Sequence, residues 1–116
     1  IERKFPFLKL SYFQKIEAID TVKIKPYNYS SRHLYVLHYN DRSKLIEYLN
    51  KNGVGTGMHY PIPIHLQKAY NFLNHKIGDF PVAEKNASFC LSLPIYYGLD
   101  KKEVVIIIDL INGFFK

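Results

Sequence analysis

Between His33 and Lys51 the hydrophobic and polar positions follow two periods in succession, and the change of period marks the best-defined pair of elements in the chain. His33 to Tyr39 reads His-Leu-Tyr-Val-Leu-His-Tyr, rich in aromatic and branched residues, and predicts a strand. Alternation puts Leu34, Val36 and His38 on one face and His33, Tyr35, Leu37 and Tyr39 on the other. After it, Asp41 is a helix cap by residue type, and Leu45, Ile46, Tyr48 and Leu49 form one apolar stripe at helical spacing. Glu47 and Lys51 add a favourable i,i+4 pair, and Asn52-Gly53 stops the helix.

Upstream, Phe7, Leu8, Tyr12, Ile16 and Ile19 recur at helical spacing and predict a helix over 6–18. Over 21–25, Val22 and Ile24 alternate with polar neighbours, which predicts a short half-buried strand ended by Pro26. Downstream, Pro81 suits the first turn of a helix reaching Phe89, with Ala83, Ala87 and Cys90 on a small-residue face. Leu91 to Ile95 returns to extended structure, broken by Pro94. In the last segment two signals conflict. Val104 to Ile108 is a branched run that propensity assigns to a strand, yet Asp100 with Glu103 resembles a capping box. Apolar residues at 104, 107, 108, 111, 114 and 115 keep a helical period for more than three turns, so a helix is expected. The order helix, strand, strand, helix, loop, helix, short strand, helix describes an α+β fold, a small antiparallel sheet with helices packed on one face.

Composition narrows the class. A chain of 116 residues, 47% hydrophobic and 22% charged, has room for one packed domain. No apolar run approaches the ~20 residues that span a bilayer, and Ile-Glu-Arg-Lys-Phe-Pro at the start does not resemble a secretory signal. The start at Ile1 suggests a piece of something longer. Cys90, the single cysteine, excludes an internal disulfide and fits a reducing, cytoplasmic setting with no membrane partner. The net charge of +6 comes from scattered lysines. Tyr35, Tyr39 and Tyr48 fall in periodic apolar segments and no helix carries a basic stripe, so nucleic acid is not an expected partner.

The stretch 53–67, Gly-Val-Gly-Thr-Gly-Met-His-Tyr-Pro-Ile-Pro-Ile-His-Leu-Gln, fits neither a core helix nor a plain loop. Three alternate glycines open backbone geometry closed to other residues, and Pro61 and Pro63 stiffen the path after His59 and Tyr60. Gly53 is explained as a helix stop, whereas Gly55 and Gly57 are not. A phosphate-cradling loop would need strand, glycines, helix; here the glycines follow a helix. A metal site is disfavoured because no histidine pair has i,i+4 spacing and there is no second cysteine. Cys90 sits among apolar neighbours as a small core residue does, and Ser92 lacks the flanking glycines of a nucleophile elbow. By default His59 and Tyr60 read as a buried histidine and a boundary aromatic. The rigid loop around them favours instead a polar group aimed at a ligand.

This loop, together with Gly-Asp-Phe-Pro-Val-Ala-Glu-Lys at 78–85 and Leu-Ser-Leu-Pro-Ile-Tyr at 91–96, resembles the C-terminal portion of the DegT/DnrJ/EryC1/StrS family. These are pyridoxal-phosphate-dependent aminotransferases acting on nucleotide-linked keto sugars in polysaccharide and antibiotic-sugar biosynthesis. The resemblance implies that 33–116 is the small domain of a fold-type I aminotransferase and that 1–32 is a lead-in helix and strand. It implies a substrate-side role for His59 and Tyr60, extended to His65 and Gln67, and a structural role for 80–84. The implied parent takes a nucleotide sugar and an amino-acid donor, commonly glutamate, and is a homodimer. No segment here matches the large domain that carries the Schiff-base lysine and cofactor site. The chain alone is therefore expected neither to bind pyridoxal phosphate nor to transaminate, and the large domain is its expected partner. Two alternatives stay open: a fragment of a sugar dehydratase of the same superfamily, which differs chiefly at the Schiff-base position, and a stand-alone binding module.

Overall fold

The computed structural model of the protein describes residues 16–116. The helix expected over 6–18 lies outside the described residues except at its end, where a turn is closed by Ile19 N–H on Ile16 O at 3.1 Å. The sheet has three strands in the order β1 (Asp20–Thr21), β2 (Tyr35–His38), β3 (Cys90–Leu93), antiparallel throughout. Tyr35 lies opposite Leu93 and Leu37 opposite Leu91, while Val36 faces Ser92 and His38 faces Cys90. Successive residues of a strand point to opposite faces, so one face carries Tyr35, Leu37, Leu91 and Leu93, and the other Val36, His38, Cys90 and Ser92. That is the alternation the sequence predicts for this strand. β1 is shorter than the expected 21–25: Val22 and Ile24 remain exposed, and without a buried face nothing pins the ladder beyond Thr21.

The leucine face is covered by α1 (Arg42–Lys51) and α3 (Lys101–Phe114), which contribute Leu45 and Leu49, and Val104, Ile107, Ile108 and Ile111, to one core. Leu37, Leu45, Leu49, Leu91 and Ile111 are fully enclosed, each worth roughly 1.5–3 kcal/mol of burial. The branched run is helical because 104, 107, 108 and 111 share the buried stripe, leaving Val105 and Ile106 outside. Its start is a complete capping box: Glu103 N–H donates to Asp100 Oδ1 and Asp100 N–H to Glu103 Oε2, both at 2.9 Å.

Asp41 holds the N-cap position of α1 without capping it. Its ψ of 53° is not the extended backbone of a capping residue, and its carboxylate pairs with Lys44 Nζ at 2.6 Å instead. The expected Glu47–Lys51 pair forms at 2.8 Å, and Gly53 ends the helix with φ of +78°. Two short 3₁₀ segments, Ile64–Leu66 and Lys68–Leu73, lead to α2 (Pro81–Phe89), which runs directly into β3. Arg42 Nη1 donates to Ala87 O at 2.5 Å and Cys90 O at 3.1 Å, satisfying carbonyls at the end of α2. The architecture is the expected α+β one, with α1 and α3 on one face of a small antiparallel sheet. The other face is left to the loop 59–67 and the flank of α2.

Candidate functional site

The outer edge of β3 is where the loop docks. Gly57 forms a bridge with Ser92, Gly57 N–H to Ser92 O at 3.0 Å and Ser92 N–H to Gly57 O at 2.7 Å. Two residues later the His59 ring folds back so that Nδ1 stands 2.9 Å from Ser92 Oγ. A Cβ on Gly57 would lie 2.9 Å from His59 Cε1 and 3.5 Å from Nδ1, so the absence of a side chain there makes room for the ring. This accounts for a glycine that capping left unexplained. Gly55 has no such neighbour, and nothing in the structure explains it. His59 is itself solvent-exposed, and its ring and that of Tyr60 meet edge to face, centroids 5.3 Å apart at 78°. The default reading of this pair as a buried histidine and a boundary aromatic does not hold.

His59 and Tyr60 border a shallow hollow floored by Val36, His38 and Cys90 and flanked by Ala83 and Ala87 of α2. Gln67 borders it too, its Nε2 donating to Ile62 O at 3.3 Å across the proline turn. Three of the four residues expected at the substrate side therefore share one rim. His65 does not join them. It is buried at 8% exposure, with Nε2 2.9 Å from Glu84 Oε1 and its ring over Phe80 at 4.8 Å.

Glu84 is the hub of that second cluster. Its carboxylate accepts Gly78 N–H at 2.9 and 3.0 Å and Phe80 N–H at 3.2 Å, besides His65. The Gly78 amide, helped by Phe80 and His65, holds this carboxyl below its usual pKa. The cluster fastens the end of the long loop to the first turn of α2, which agrees with a structural role for 80–84. Beside it, His75 Nδ1 and Lys76 N–H meet Asp79 Oδ2 at 3.2 and 3.0 Å.

Ser92 is the residue that sequence reasoning set aside. Its signal was a polar residue between two core leucines in a strand: such a side chain must face the opposite side of the sheet and find a partner there. Cys90 is buried as expected of a small core residue, its Sγ 3.8 Å from both Tyr60 O and Ala87 O. Among the described residues no three His, Cys, Asp or Glu side chains come together as a metal-binding set, and no helix is long and apolar enough to cross a membrane.

What the hollow can do follows from its donor set. It offers two imidazoles (His38 and His59), a phenol, two carboxamides (Gln67 and Asn86) and a thiol, but no lysine, arginine or carboxylate. Such groups can hydrogen-bond a polyhydroxylated ligand and stack on it. They supply no amine for a Schiff base, no cation for a phosphate and no acid for a pyridine nitrogen. The hollow's own residues do not fit a pyridoxal phosphate site.

Comparison with known proteins bears on this arrangement. Over 80 residues the chain is 42% identical to the erythromycin biosynthesis sensory transduction protein EryC1 of Saccharopolyspora erythraea, covering 69% of this chain and 22% of that protein. It is 35% identical over 80 residues to the dTDP-3-amino-3,4,6-trideoxy-alpha-D-glucose transaminase of Streptomyces venezuelae, covering 69% and 21% respectively. Its fold superposes on the crystal structure of S. venezuelae DesV with a TM-score of 0.88 at 30% identity, covering 92% of this chain and 29% of DesV. The chain thus spans under a third of the length of these relatives. The family model for DegT/DnrJ/EryC1/StrS aminotransferases matches residues 8–112, so the chain belongs to the DegT/DnrJ/EryC1/StrS aminotransferase family.

Proposed function

We propose that residues 33–116 are the small domain of a pyridoxal-phosphate-dependent aminotransferase that transfers an amino group, commonly from glutamate, to a nucleotide-linked keto sugar. In this reading the chain supplies half of a site: His59 and Tyr60, with Gln67 beside them, contact the sugar, while a large domain holds the cofactor and its Schiff-base lysine. His65 serves the loop through Glu84 and not the ligand. The cytoplasm and a homodimeric parent belong to the same proposal. The observation that carries it is the His59 ring, exposed to solvent yet held at one nitrogen by Ser92 and seated over Gly57. A histidine that is both exposed and oriented is of use to something outside the domain. The transaminase name of one relative favours amino transfer over the dehydratase alternative.

The test is titration of the isotopically labelled chain with dTDP-glucose, followed by nuclear magnetic resonance. A half-site offering two or three contacts is expected to bind with a Kd of about 1 mM, and shifts should concentrate at His59, Tyr60 and Gln67. Shifts centred elsewhere, or none at ~10 mM ligand, would overturn the assignment of the sugar contact to this rim. A Schiff-base absorbance on mixing the chain with pyridoxal phosphate, lost on replacing one specific lysine, would overturn the division of labour between domains.

A further inference from the structure

We propose that Ser92 is the positioning residue of His59, holding the imidazole at Nδ1 so that Nε2 is the nitrogen offered to substrate, and doing so in every protonation state of the ring. The inference rests on the reading of His59 as a sugar contact and says how that contact is built. Ser92 is 4% exposed, and both its backbone N–H and its C=O are engaged by Gly57. Its neighbours Leu91 and Leu93 are locked in the core on the opposite face. Its hydroxyl therefore starts from a fixed point, 2.9 Å from Nδ1. The ring has Gly57 on one side and the Tyr60 ring on another.

The chemistry of the partner sets what the histidine can do. A carboxylate facing Nδ1 would accept a hydrogen bond from its N–H and bias the ring towards one tautomer and towards the imidazolium. A serine hydroxyl has one proton to donate and two lone pairs to accept with, so it satisfies Nδ1 whether that nitrogen carries a proton or not. The other titratable groups bordering the hollow are His38, Tyr60 and Cys90, and no carboxylate is among them. Ser92 thus fixes where the ring is without fixing its charge. Nε2 is left able to donate to a sugar oxygen in one state and accept from a sugar hydroxyl in another, with no movement of the ring between them.

Two measurements on the chain test this. In the unaltered protein, nuclear Overhauser contacts from His59 Hε1 to the Gly57 α-protons are expected both above and below the His59 titration midpoint. Loss of these contacts on protonation would overturn the proposal without any variant being made. In Ser92→Ala the same contacts should weaken and the Nδ1 resonance should move to that of a solvated imidazole. Ser92→Thr, which keeps the hydroxyl, should restore both, whereas a purely space-filling role for Ser92 would leave Nδ1 unmoved in the alanine variant. Removal of one neutral hydrogen bond should weaken dTDP-glucose binding by roughly two- to tenfold. An unchanged His59 ring in Ser92→Ala overturns the positioning role while leaving the sugar contact standing. A freed ring in that variant, with no dTDP-glucose response in the unaltered chain, upholds the positioning and removes the sugar contact.

Discussion

Replacing Gly57 with alanine separates the stability of this domain from the geometry of its site. The added Cβ would stand 2.9 Å from His59 Cε1, and the three nearest atoms outside its chain neighbours all belong to that ring. Carbon atoms settle at ~3.5–4.0 Å, so the ring must retreat by about 0.6 Å or more. The backbone at Gly57 is not in the left-handed region, so alanine meets no conformational penalty of its own. A retreat of that size lengthens a 2.9 Å contact at Ser92 Oγ past useful hydrogen-bond range. The loss is worth about 0.5–1.5 kcal/mol. Against it, Gly-to-Ala replacement at a tolerant position stabilises by roughly 0.4–1 kcal/mol through the unfolded chain. The two terms nearly cancel, and urea unfolding is expected to give an unfolding free energy within about 1 kcal/mol of the parent with an unchanged m-value. In the same variant the His59 ring resonances should move and the dTDP-glucose response should fall. Destabilisation by several kcal/mol would refute the reasoning, because it would mean that the methyl meets something less yielding than an exposed ring. An unmoved His59 resonance would refute it from the other side.

Other perturbations address the scaffold. Asp100→Ala removes one half of the capping box of α3 and should cost about 1 kcal/mol in urea unfolding, with the loss confined to the first turn in amide exchange. Glu84 has a folded pKa below its usual 4.5, so its contribution is present above that value and is lost as pH falls through the lower folded one. Protection of the Gly78 and Phe80 amides, corrected for intrinsic exchange, should therefore decline on acidification below about 4.5, and Glu84→Gln should flatten that dependence. His65→Ala should lower protection of the same amides while leaving the His59 response to dTDP-glucose intact. A lost response would return His65 to the ligand side.

The elements that the sequence discloses are those whose cause lies within a few residues. The α3 helix is one: its capping box spans Asp100 to Glu103, and its buried stripe repeats within the segment itself. Pro81 at the first turn of α2 and Gly53 past the end of α1 are others. Expectations fail where the deciding partner is distant or missing. The alternation of Val22 and Ile24 looks like a strand, but a strand exists only where a neighbour accepts its ladder, and of this segment β2 pairs only with Asp20 and Thr21. Asp41 has the right type for a cap, yet its backbone angle and the nearby Lys44 decide otherwise. The bond between His59 and Ser92 joins residues 33 apart: Leu-Ser-Leu says that Ser92 needs a partner off the core face, but no local pattern says which residue supplies it.

In the function proposed for this loop, the contrast between His59 and His65 is one of partner chemistry, which divides a single loop into two jobs. Both histidines belong to the same Pro-braced stretch, and by residue type they are equivalent. One meets Glu84, whose charge already gathers two backbone amides at the start of a helix; burying a ring nitrogen against that charge commits it to holding the loop. The other meets a neutral hydroxyl at the edge of a strand, beside a glycine that leaves room for it, on a residue that stays exposed. A carboxylate in place of Ser92 would hold the ring as firmly, but it would favour the imidazolium and remove the acceptor that a sugar hydroxyl needs. The same imidazole becomes structural or available according to whether its partner carries charge. A site that must read hydroxyl and carbonyl oxygens on one ligand is better served by the partner that carries none.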